Sequence, residues 1–158
     1  MRIEIISNKE EDTINIGKNL AKFLRPGDLI LLYGDLGCGK TTFVKGLAEG
    51  LEVDPDIYIT SPTFSLINIY EGKYTIYHVD LYRLEEFEIE ELGIWEYLNS
   101  GIVIIEWADK LSGIPIENFL EIKFEYFDFS KRKITLIGYG EWQDILKEWK
   151  KSSNLIYK

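Results

Sequence analysis

Along the first quarter of the chain the apolar and small positions fall at Thr13, Ile16, Gly17, Leu20, Ala21 and Leu24, a spacing that predicts a helix with one buried face. Ser7, with Glu10 three positions later, predicts a capping box at its start, and Arg25, Pro26 and Gly27 end it. Residues 2–6 alternate weakly and predict a short strand ahead of the helix. Residues 28–33 are nearly all apolar, as in a central strand covered on both faces. A second helical pattern follows at Phe43, Val44, Leu47, Ala48 and Leu51.

Beyond a polar connection at residues 52–59, residues 64–70 and 73–79 predict a hairpin turning at Glu71 and Gly72. Residues 84–98 read as one or two short helices, and residues 102–105 as a purely aliphatic buried strand ending at Glu106. Residues 119–127 and 133–138 alternate as two late strands, and residues 142–149 have helical spacing. This order predicts an α/β fold with helices flanking a mixed, mostly parallel sheet, the hairpin making it mixed. One domain over residues 1–150 is expected, followed by a polar tail at 151–158 that frays.

Composition narrows the setting. A chain of 158 residues, 46% hydrophobic, is long enough for one substantial core. The single cysteine excludes a disulfide framework, and no apolar run has the length of a membrane helix or a signal peptide, so a cytoplasmic protein is expected. The net charge of −9 disfavours direct, sequence-independent binding to a nucleic-acid backbone.

The chemistry concentrates between the central strand and the second helix: Gly34, Asp35, Leu36, Gly37, Cys38, Gly39, Lys40, Thr41, Thr42. Gly, four residues, Gly, Lys and Ser or Thr is the spacing of a phosphate-binding loop, and it predicts a P-loop NTPase-like domain. Glycines let successive N–H groups turn inward toward phosphate oxygens, and the helix N-terminus adds its partial positive charge. In this arrangement Lys40 reaches the terminal phosphates and Thr41 offers its hydroxyl to a magnesium ion. Cys38, beside a helix N-terminus and Lys40, is expected to be a reactive thiol whose alkylation blocks nucleotide binding.

Hydrolysis needs further groups. Asp80 and Glu106 each close an apolar strand at its C-terminal end, where ligands gather in open α/β sheets. Glu106 is assigned to magnesium or its water shell, and Asp80 to orienting water or to a second metal shell. Thr63, in Ser61, Pro62, Thr63, Phe64, suits a switch that senses the terminal phosphate as well as it suits an ordinary turn. His78, the sole histidine, points to the same face as Asp80 and reads equally as structural or catalytic. Arg83 is read as an exposed arginine or a phosphate contact, and Trp107 as core packing or a wall of the site. A guanine-specific site would carry Asn, Lys, any residue and Asp after a late strand, which Ala108, Asp109 and Lys110 do not supply, so ATP is favoured. A small-molecule or nucleoside kinase remains an alternative, although no Arg-rich lid segment is present. A nucleotide-gated adaptor that does not hydrolyse is another.

Four separated stretches then share one resemblance: the loop through Phe43; Ser61 to Leu66; His78, Val79, Asp80, Leu81, Tyr82, Arg83, Leu84; and Ile105, Glu106, Trp107. In order and spacing they resemble the bacterial TsaE (YjeE) ATPases over roughly residues 5–140. The resemblance implies a small ATPase needed for making threonylcarbamoyladenosine in tRNA. Such an enzyme acts on a TsaB–TsaD complex, with TsaC supplying the activated group, and meets tRNA only indirectly. It implies that the loop holds ATP, that Thr41 and Glu106 hold magnesium, that Asp80 is needed for hydrolysis, and that Thr63 belongs to a switch-like segment. It further implies that Glu10, Asp109 and Arg132 lie near the nucleotide. Two positions depart from the family pattern: Cys38 stands where Ala is usual, and Ala108 where Pro is common.

Overall fold

The computed structural model describes residues 1–153. Seven strands form one sheet: β1 (Arg2–Ser7), β2 (Leu29–Tyr33), β3 (Ile67–Glu71), β4 (Thr75–Asp80), β5 (Ile102–Glu106), β6 (Phe119–Tyr126) and β7 (Arg132–Tyr139). The spatial order is β1-β7-β6-β2-β5-β4-β3. The middle is parallel, β2 lying between β5 and β6 with β4 beyond β5. Antiparallel pairs finish both sides: β3 on β4, and β7 between β6 and β1. The hairpin expected from the sequence is therefore one of three places where direction reverses, the others being β6 against β7 and β7 against β1.

Among the described residues four α-helices flank this sheet: α1 (Glu10–Leu20), α2 (Lys40–Gly50), α3 (Glu86–Glu91) and α4 (Trp142–Ser152). β2 shows why its sequence is almost continuously apolar. Leu29 and Leu31 face one core with Val103 and Ile105, while Ile30 and Leu32 face the other with Phe43 and Leu47. Each such buried aliphatic side chain contributes about 1.5–3 kcal/mol. α4 extends three residues beyond the expected Trp149, so the tail is helical through Ser152, and its final residues, 154–158, lie outside the described residues. Among the described residues no helix is long and apolar enough to cross a membrane.

Two local expectations are corrected. The Ser7–Glu10 capping box does not form: α1 is entered at Lys9 without a side-chain cap, and the Ser7 hydroxyl bonds the Thr13 hydroxyl at 2.6 Å instead. Asp12 takes over part of that work by accepting the Asn8 N–H. A reciprocal box does form at Glu85 and Glu88, at the start of α3. The first hairpin strand begins at Ile67 rather than Phe64, because Leu66 takes a left-handed φ of +70° that breaks the extended run.

α1 and α2 pack through glycines, which brings the start of α1 close to the loop. A Cβ on Gly17 would stand 2.5 Å from the Phe43 carbonyl oxygen, and one on Gly46 would collide with the Ile14 carbonyl. Gly46→Ala should therefore lower the urea midpoint by the equivalent of about 1–3 kcal/mol, although alanine is the better helix former. A midpoint equal to or above that of the wild type would show that the helices can separate freely.

Candidate functional site

β2 ends at Tyr33, and α2 begins seven residues later at Lys40. Gly37 and Gly39 between them take φ values of +80° and +102°, left-handed conformations in which a side chain is strained. The first main-chain bond of the new helix runs from the Phe43 N–H to the Gly39 carbonyl. The amides of Lys40, Thr41 and Thr42 precede it and have no carbonyl within α2 to bond. These residues, with Leu36, Gly37 and Gly39, floor a cleft of about 390 Å³. The floor is braced from outside: the Tyr126 hydroxyl donates to the Leu36 carbonyl at 3.3 Å. The Arg132 guanidinium lies 4.2 Å from the Tyr126 ring centroid and donates to the Gly37 carbonyl at 3.4 Å.

Lys40 is only 5% exposed. Its Nζ donates to the Gly34 carbonyl at 2.5 Å and sits 4.4 Å from the Trp107 ring centroid, a cation–π contact. Trp107 reaches this place because its own backbone is left-handed, with φ of +60°, immediately after β5. For a bulky residue that conformation costs about 1–3 kcal/mol, and such strain gathers at functional positions.

Opposite the loop, Glu106 lines the cleft and is 2% exposed. Its Oε2 lies 2.5 Å from His78 Nε2, a contact that requires a proton between the two atoms. Asp80 stands beside Glu106 in the β4–β5 register. Its carboxylate is turned elsewhere: Oδ2 accepts from the hydroxyls of Ser61 and Thr63, each at 3.1 Å, and Oδ1 accepts the Tyr82 N–H at 2.9 Å. Ser61 and Thr63 line the cleft, whereas Asp80 does not. The carboxylate thus reaches the site through two hydroxyls.

Glu10, Thr41, Thr42, Thr63, Glu106 and Arg132 meet in this cleft with Lys40 and the glycines. Asp35, Cys38 and Asp109 are not among its walls. Asp109 is exposed beside Tyr33, whose phenol is pushed up to about 12 by burial, with Glu121 and Asp109 adding to the shift. Arg83 is also exposed, stacked 5.1 Å from the Phe64 ring. Ser7, Lys9, Thr13 and Ser130 complete the walls and are not among the residues the sequence singles out as candidates. Thr13 carried a signal, as a hydroxyl on an otherwise apolar helical face.

Cys38 corrects the expectation of a reactive thiol. Its side chain is 2% exposed and belongs to the core that contains Phe43 and Phe124. Its amide donates to the Asp35 carbonyl. A thiol reagent should modify the native chain only when the loop opens. An opening free energy of about 3 kcal/mol slows the reaction on the order of 100-fold relative to the denatured chain. Stoichiometric modification at the rate of a free thiol would overturn this placement.

A strand, a glycine loop and a helix at the centre of a mostly parallel sheet, with acids at the ends of β4 and β5, define a P-loop NTPase-like α/β domain. The family model described as "Threonylcarbamoyl adenosine biosynthesis protein TsaE" matches residues 7–134, and the chain belongs to the TsaE family. It is 43% identical to the tRNA threonylcarbamoyladenosine biosynthesis protein TsaE of Nostoc over 137 residues, covering 83% of each chain. To the Bacillus subtilis protein of the same name it is 40% identical over 140 residues, 87% of each. The crystal structure of Bacillus subtilis YdiB superposes with a TM-score of 0.78 at 33% identity, over 98% of this chain and 97% of that one.

Proposed function

We propose that this chain is a magnesium-dependent ATPase that drives a catalytic cycle of tRNA threonylcarbamoyladenosine synthesis by acting on a TsaB–TsaD complex in the cytoplasm. The observation that carries the proposal is the cleft, in which Lys40 and the free amides of α2 face Glu106 across a space of about 390 Å³. The names of the relatives support the pathway, and the absence of a guanine-reading motif supports ATP.

The donor set fits magnesium. Thr41, Thr63 and Glu106 offer oxygen only, the preference of a hard cation. Among the described residues no group of three or more His, Cys, Asp or Glu side chains gathers to hold an ion alone. That suits a cation held by one or two protein oxygens together with phosphates and water. Thr41 and Glu106 would hold it, and when bound it supplies neutralisation of charge on the phosphates.

The chain's own groups do the rest. The α2 amides and Lys40 donate to phosphate oxygens, with Lys40 leaving the Gly34 carbonyl to do so. Asp80 holds the Ser61 and Thr63 hydroxyls by their protons, so that their lone pairs point into the cleft and orient a water. Glu10, Arg132 and Ser130 lie at the walls available to the nucleoside. The acidic surface suits a protein partner better than direct contact with tRNA.

The test is phosphate release from ATP with and without the TsaB–TsaD complex. Stimulated release that disappears with magnesium chelation is expected. No release under any condition, with partner binding equal in ATP and in a non-hydrolysable analogue, would replace hydrolysis with a gated-adaptor role.

A further inference from the structure

We infer that His78 is a positioning residue for the cation-holding carboxylate of Glu106, an inference that rests on the magnesium–nucleotide reading of the cleft. His78 is fully buried in β4. Side chains alternate along a strand, so His78 emerges on the same face as Asp80, and Asp80 is paired in register with Glu106. The imidazole therefore reaches one pleat along the sheet to the Glu106 Oε2. Its other nitrogen, Nδ1, is buried without any hydrogen-bond partner.

That unpaired nitrogen argues against a packing role. A buried polar atom left unsatisfied is destabilising, a penalty that an apolar side chain of similar size would avoid. The arrangement is least costly as the neutral tautomer with its proton on Nε2, leaving a bare lone pair at Nδ1 in place of an unpaired N–H. The same tautomer donates to a carboxylate. Among the described residues His78 is the only side chain bonded to Glu106. With Oε2 held, Oε1 is left as the oxygen to face the cleft. An outer residue that fixes a metal ligand in this way typically changes metal affinity by about 10–100-fold.

The experiment compares the affinity for a fluorescent ADP analogue in excess magnesium with that in excess chelator; the ratio of the two reports the cation site without turnover. Two variants differ in reach: the amide of His78→Gln extends to the Nε2 position, whereas that of His78→Asn stops near Nδ1. His78→Asn should lower the ratio at least about tenfold while the chelator affinity changes less than about twofold, and His78→Gln should restore most of it. Glu106→Gln should remove the ratio, and adding His78→Asn to it should have no further effect. Equal loss in the Asn and Gln variants, with or without loss of a cooperative melt, overturns the positioning role. So does a wild-type ratio in His78→Asn, or a further drop in the double variant. A wild-type ratio of one is a distinct failure, because it overturns the magnesium–nucleotide reading and this inference with it.

Discussion

Lys40→Ala should weaken the binding of a nucleoside triphosphate by at least about 100-fold and leave the fold in place. Two charge-assisted bonds to phosphate are each worth about 1.5–3 kcal/mol, and every 1.4 kcal/mol is tenfold. The ammonium is almost wholly buried against the Gly34 carbonyl and the Trp107 ring, so its movement to phosphate exchanges these two sheltered contacts for stronger ones. Removing it takes no apolar side chain from either core. Calorimetric titration of the triphosphate, with a thermal melt as control, measures both effects. An affinity within about fivefold of the wild type would mean that the α2 amides carry binding unaided. Tryptophan emission offers a second reading, since Trp107 loses its cation when Lys40 moves, whereas Trp142 and Trp149 are buried in the core.

Asp80→Asn should separate turnover from binding. The carboxylate accepts three hydrogen bonds, two from Ser61 and Thr63 on one oxygen and one from the Tyr82 amide on the other. An amide can keep its oxygen toward Tyr82 only by presenting N–H groups to the two hydroxyls. Those hydroxyls then have to turn and accept, so their lone pairs leave the cleft. Phosphate release should fall about 100-fold, the size of a misplacement of roughly 1 Å, while triphosphate affinity changes less than about fivefold. Hydrogen exchange should quicken across residues 61–66. The turn there keeps the Leu66 N–H bond to Pro62 and the Leu66 carbonyl bond from Asp80 N–H, so it loosens without unfolding. Parallel loss of affinity and turnover would place Asp80 in binding.

How far the sequence reaches can be judged from particular residues. β2, the glycine loop and α2 were legible because their signals are local: an apolar run, a fixed spacing and a helical face. Glu106 and Asp80 were legible as strand-end acids, since each closes an apolar strand at its C-terminal end, where ligands gather in open α/β sheets. The direction in which Asp80 points was not legible, because it depends on two hydroxyls nearly twenty residues upstream. Ser7 misled for a similar reason: its hydroxyl found Thr13 before it found the helix amides. The true capping box begins with Glu85, a residue outside the usual N-cap set. The burial of Cys38 was hidden as well, since core and cleft lie one residue apart in a tight loop.

The sheet order also governs how the chain can be built over time. Among the described residues β1 comes first in chain order, yet its one neighbour in the sheet is β7, the last. Between Ser7 and Arg132 lies most of the polypeptide, which takes on the order of ten seconds to synthesise at about 5–20 residues per second. Through that interval β1 has no strand to pair with, while β2, β4 and β5 can already join. Pairing of β1 therefore waits for β7, and a chain truncated before Arg132 leaves α1, with the cleft wall it carries, without its anchoring edge.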